Sequence, residues 1–280
     1  QEVLHRVPRS AALDGKARIL KKLERWEEIV PVMERQIDLE EDGPRKVDLL
    51  KGLASLLAAR FGRFGDAADR LEKALEIKGG PDLEIVDLIV EACEKSDRCE
   101  EAARWLEKSS DLVTGEARAD RRVAAGEMIE LKLHDRERAT LLYRRALDAH
   151  PTHVKAAAAM RTTFASRGDH GAALDMLRKE IDATQGALEK ARLWAEMGRI
   201  ARVDLKEPAK AIDFYEKAHA LDPTLVEAGE PLAELYRETQ RWDQALRIFE
   251  KFAESAEAME PSKAAELFFR YGEASLERND

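Results

Sequence analysis

Proline and glycine are scarce here, nine and fifteen in 280 residues, while Ala, Leu, Glu, Lys and Arg, the strongest helix formers, dominate. That balance points to an all-helical protein. The two cysteines, Cys93 and Cys99, make no disulfide framework and lack the companions of a four-ligand zinc site, so both read as packing residues. Aromatics are 6% of the chain, too few for a surface built on base stacking. No apolar run of about 18 residues exists, which excludes a membrane-spanning helix, and the N-terminus lacks the basic, apolar and small-residue order of a secretory signal. The chain starts at Gln1 rather than Met; the expected compartment is the cytoplasm. A net charge of −9 and a pI near 5.4 disfavour generic nucleic-acid binding, which needs a local excess of Lys and Arg.

What the chain does have is a period. In Ala139 to Pro151, small residues seven apart flank Tyr143, and a proline follows five residues after Ala146; Ala211 to Pro223 repeats this with Tyr215 and Ala218. Sliding that frame along the chain gives anchors at Ile29, Ala67, Ala102, Ala139, Ala173, Ala211 and Ala245, separated by 38, 35, 37, 34, 38 and 34 residues. Four residues after each anchor stands a large apolar side chain: Met33, Leu71, Leu106, Tyr143, Leu177, Tyr215 and Phe249. Upstream of each anchor lies a second apolar stripe, so each unit is two helices. Ala74, Ala146 and Ala218 are separated by 72 and 72, so the duplicated unit is a pair of repeats, its longer gap placing an extra residue in a turn. Helices are expected near 10–23, 26–40, 44–61, 64–78, 82–95, 99–112, 115–133, 136–149, 152–167, 170–184, 187–205, 208–221, 224–239, 242–257 and 262–277, with breaks at Gly43-Pro44, Gly79-Gly80-Pro81, Pro151, Pro223 and Pro261.

Trp194, Met197-Gly198, Ala211, Tyr215, Ala218 and Pro223 resemble the pattern of tetratricopeptide repeats, as do Leu232-Ala233, Tyr236, Ala245 and Phe249. The resemblance, to a segment of a longer bacterial-type array, covers nearly the whole chain. Arg161 departs from it where Gly is usual, and Gln36, Glu180 and Phe252 replace the second small residue. It implies one solenoid over residues 1–280, a right-handed α-α superhelix of about seven helix pairs plus a final single helix. Pro8 aligns with Pro151 and Pro223, and Tyr271-Gly272 with Met197-Gly198, so both ends are expected to cut a repeat.

Chemistry is not written into this sequence. Gly15-Lys16-Ala17 lacks the rest of a phosphate loop, His150, His153 and His170 lack ligand-spaced companions, and neither a GxSxG elbow nor HExxH occurs. The reading is a non-catalytic scaffold without cofactor or metal, monomeric, binding a protein or peptide, with no nucleic acid and no membrane insertion. A regulatory or substrate-recruiting arm of a larger protein is the alternative. RNA binding is a lesser one, supported by Arg118, Arg121, Arg122, Arg136, Arg138, Arg144 and Arg145.

In the family the resemblance names, first helices line the concave side. Carried onto this chain, that lining is Glu84, Asp87, Glu91 and Glu94, then Glu127 and Glu130, Lys155 and Thr162, Arg192, Arg199 and Arg202, and Glu227, Glu230 and Glu234. Its sign reverses along its length. It reads either as a groove zoned for a charged partner segment or as lateral pairing of Arg192 and Arg199 with Glu227 and Glu234. The version of the family that grips a terminal carboxylate with asparagines does not fit, since the one asparagine is Asn279.

Overall fold

A computed structural model describes residues 2–254, 269–276 and 278, and it contains no strand among them. The helices are α1 (Glu2–Lys22), α2 (Trp26–Leu39), α3 (Gly43–Phe61), α4 (Phe64–Lys78), α5 (Leu83–Lys95), α6 (Cys99–Ser110) and α7 (Gly115–Lys132). They continue as α8 (Arg136–Ala149), α9 (Val154–Ser166), α10 (His170–Ala183), α11 (Ala187–Arg199), α12 (Pro208–Leu221), α13 (Val226–Glu238) and α14 (Trp242–Glu254). A π-helical turn, Ile200–Asp204, prolongs α11. Residues 269–276 are also helical, whereas the expected break at Pro261 and residues 262–268 lie outside the described residues. The expected break at Pro8 is absent: α1 runs through it. Proline's own φ is helical, although inside a helix it forfeits one hydrogen bond and crowds the carbonyl four residues earlier.

Each odd-numbered helix packs against the next as a hairpin, and the packing is that of the anchor frame. All seven anchors are buried, with Ile29 the most exposed at 4%. Of the large residues four positions on, Met33 is half-buried over Gly52, and the others are buried. Truncation to glycine lets the aromatic version of this contact form. A Cβ on Gly126 would lie 2.5 Å from the Tyr143 ring, and one on Gly198 2.6 Å from that of Tyr215.

The hairpin turns share one left-handed position and differ in the bond that closes them. Two residues before each second helix, the backbone enters the left-handed region, at Glu24, Gly62, Asp97, His134, Gly168, Lys206 and Gln240. The N–H of the following residue then closes the first helix's last turn, as in a Schellman cap. In four pairs it reaches five residues back: Arg25 to Leu20, Arg98 to Cys93, Asp169 to Phe164 and Arg241 to Tyr236. In the other three it reaches six: Arg63 to Leu57, Asp135 to Ile129 and Glu207 to Ala201.

The two turns alternate, and so do helix lengths. The helices α3 and α7 have 19 and 18 residues, and α11 has 13 before its π turn of 5, while α5, α9 and α13 each have 13. The 72-residue double repeat is therefore a long hairpin followed by a short one. Two compact units result, Gln1–His150 and Pro151–Asp280. Each is a stack of such hairpins, and in the second a single apolar cluster runs from Leu174 to Phe252 and Ala274.

Candidate functional site

Within the first unit, the first-helix face is laced by ion pairs between neighbouring hairpins: Lys51–Glu84 at 2.6 Å and Arg121–Asp87 at 2.8 Å. Glu91 pairs with Lys95 on its own helix. Glu127 is exposed. Glu130 accepts the Tyr143 hydroxyl at 2.9 Å and stands 3.9 Å from Arg136. Burial and this bond together raise the Tyr143 pKa.

In the second unit the same face changes character. Arg202, on the π turn, crosses to Glu238 of α13 at 3.0 Å, Glu234 meets Arg237 at 3.4 Å and Arg270 at 3.8 Å, and Arg237 reaches Glu273 at 3.4 Å. Arg199 turns back to Glu196 of its own helix at 3.1 Å and to Asp204 at 3.5 Å, and its pKa rises chiefly through the Glu196 hydrogen bond. The expected pairing of Arg192 and Arg199 with Glu227 and Glu234 is replaced by these contacts. The π turn supplies Asp204 as one local partner of Arg199, and an i,i+3 carboxylate is reached without bridging helices.

Arg192 and Glu227 stand without an ion pair among the described residues, both exposed. They line one cleft of about 450 Å³ between α11 and α13, with Arg199 and Glu196 on its rim. Buried Ala195, Tyr215 and Leu225 form its floor together with Pro231. Pro231 sits inside α13 and has no N–H, so the Glu227 carbonyl four residues earlier lacks its helical donor. Arg192 helps to hold the Asp222 carboxyl below its usual range, where the Thr224 hydroxyl contributes most. The cleft thus combines a cation and a carboxylate around an apolar floor.

Of the remaining residues singled out in the sequence, Lys155 and Thr162 are exposed on α9, with the Thr162 hydroxyl turned back to the Ala158 carbonyl at 3.0 Å. Glu230 is half-buried on α13. None of these three lines the cleft. The floor residues Tyr215, Leu225 and Pro231 were not singled out as functional, because an apolar stripe looks the same whether it meets another helix or a groove.

The arginines that favoured RNA are mostly engaged in holding the fold. Arg118 donates to the carbonyls of Ser110 and Val113, Arg121 to Ser109, and Arg122 to the Arg145 carbonyl at 2.8 Å. Arg138 bridges Glu100 and Glu107. His153 caps α9 by accepting the Ala156 N–H, and His170 faces Asp204 at 3.6 Å. Among the described residues no cluster of three His, Cys, Asp or Glu side chains is placed to hold a metal. Cys93 is fully buried, which pushes its thiol up to about 11. No described helix is long and apolar enough to cross a membrane.

The tetratricopeptide repeat family model matches residues 12–47 and 232–267. The first match runs through α1, α2 and the start of α3, and the second begins within α13. These two segments of the chain match tetratricopeptide repeats. No curated protein matches the sequence. Among solved structures, a MamA RS-1 double mutant is 20% identical, with 65% of this chain and 98% of that one covered and a TM-score of 0.47. YrrB, described as a TPR protein with an unusual peptide-binding site, is 17% identical over 67% of this chain and 96% of its own, with a TM-score of 0.44. Yeast Tom70 is 14% identical over 96% of this chain and 60% of its own, with a TM-score of 0.44.

Proposed function

We propose that this tetratricopeptide-repeat chain is a non-catalytic protein-interaction scaffold, and that the α11–α13 cleft takes a partner segment bearing an acidic side chain. The observation that carries this reading is the contrast between Arg192 and its neighbours. Arg121, Arg202 and Arg237 on first helices are tied to carboxylates of adjacent hairpins, whereas Arg192 lies unpaired beside an apolar floor. A carboxylate arriving there gains a cation that surrenders no existing ion pair.

Arg192→Glu tests the reading against fluorescein-labelled acidic, neutral and basic peptides. Saturable binding of acidic peptides by the parent should weaken about tenfold or more and lose part of its salt dependence in the variant. The melting temperature should fall only slightly, because no close ion pair is broken and only a longer-range attraction to Asp222 is lost. Binding that survives the reversal would remove Arg192 and this cleft from the functional surface. Arg202→Glu is the counterpart: it breaks the Glu238 pair and should lower stability by about 1 kcal/mol or less.

A further inference from the structure

A cleft of about 830 Å³ in the first unit lies between second helices, on elements that the reading above does not use. Its walls are α4 and α6, and its floor is Leu75, Val86 and Ser109, all buried. At one end Arg98 ties Asp69 at 2.6 Å and Glu101 at 3.5 Å. Midway, the Trp105 indole N–H donates to Glu72 at 2.8 Å. The other end opens at the Gly79-Gly80-Pro81 turn, and Leu112 is 40% exposed beside it.

The charges remaining in that open half are divided by wall. Glu76 on α4 and Arg104 and Lys108 on α6 are exposed and make no ion pair among the described residues. The Lys108 ammonium lies 4.9 Å over the Trp105 ring. One wall therefore presents a carboxylate and the other two cations, above apolar surface from Leu75, Val86, Trp105 and Leu112. An extended peptide would find little main-chain pairing here, because the backbones of α4 and α6 are bonded within their own helices. A helix arrives with its backbone already satisfied, and it packs between two others by setting side-chain ridges into the groove.

We propose that the α4–α6 cleft is a second docking site, which seats an amphipathic helix of a partner protein. The helix lays its apolar stripe over Trp105 and Leu112, turns an acidic flank to Arg104 and Lys108, and turns a basic flank to Glu76. This site shares no residue with the α11–α13 cleft.

The test is selection from a displayed library of peptides about 16 residues long, with leucine at i, i+3, i+4 and i+7 and randomised flanks, against the full chain. Selected peptides should carry acidic residues on one flank and basic residues on the other. Their affinity should fall about tenfold or more on Arg104→Glu/Lys108→Glu, and also on Leu112→Lys, while Arg192→Glu leaves it unchanged. Circular dichroism and melting temperature verify that each variant is folded, and Leu112→Lys carries the test if the double variant is not. The proposal is overturned if no saturable binder emerges, if binders are indifferent to both cleft variants, or if a central proline in the peptide leaves affinity intact. The last result would mean that the occupant is not a helix.

Discussion

Glycine shows how much a single side chain decides in this fold. Gly198 lies under the Tyr215 ring, with three ring atoms within 2.8 Å of where its Cβ would be, whereas nothing lies within 4 Å at Gly15 of α1. Gly198→Ala should therefore cost about 1 to 3 kcal/mol by overpacking. Gly15→Ala should instead stabilise by about 0.5 to 1 kcal/mol, since alanine loses less backbone freedom in a helix. Denaturant midpoints at constant m-value read both, and the same sign at both positions would refute the contact argument. Arg161 explains itself by the same local logic. Its repeat has Leu177 in place of tyrosine, and the guanidinium reaches Glu180, 3% exposed, at 2.8 Å. The sequence marks Arg161 and Glu180 as two separate departures from the repeat; that each is the other's partner emerges only from the hairpin geometry. In the same way the repeat frame led to Arg192, Arg199 and Glu227, which line one cleft, but not to Tyr215, Leu225 and Pro231 beside them.

At the scale of elements, the helices were legible because amphipathic periodicity and breakers agree, and boundaries from α2 to α8 fall within two residues of those expected. The turn between paired helices was not. Five of its seven left-handed positions are Glu24, Asp97, His134, Lys206 and Gln240, of which only Asp and His are among the residues that favour that conformation. The turn is imposed by the packing of two helices on each other and the closing hydrogen bond, against local preference. The π turn escaped for a related reason: an extra residue in a hairpin can be absorbed in the loop or in the helix, and periodicity does not say which. The strain makes a prediction. Gly62 has φ of 63° with open space around its Cα, so Gly62→Ala tests the backbone alone and should destabilise by about 1 to 2 kcal/mol. Gln240→Gly, at φ of 58°, should gain about 0.5 to 1 kcal/mol, the relief of strain less the extra entropy of glycine in the unfolded chain. Urea midpoints that move the opposite way at Gln240 would show its side chain to be contributing more than its backbone costs.

Across the whole molecule, stability should follow the double repeat. Repeat proteins are held by intrinsic terms within each repeat and by nearest-neighbour interfaces, so local opening reports on one hairpin and those beside it. The long hairpins α3–α4, α7–α8 and α11–α12 have the most extensive internal interfaces, and those of the short hairpins α5–α6 and α9–α10 are smaller. Two long hairpins also enclose the Gly-on-Tyr contacts at Gly126 and Gly198. Native-state hydrogen exchange should therefore show protection that rises and falls along the sequence with a period of two repeats. The slowest amides should lie in the three long hairpins, and α9 and α10 should open before α7, α8, α11 and α12. Peptide-resolved exchange followed by mass spectrometry would display this directly. Protection uniform along each compact unit would mean that cooperativity across hairpin boundaries exceeds the difference between the two hairpin types. Protection that decays smoothly from the middle of the chain would mean that fraying from the ends outweighs it.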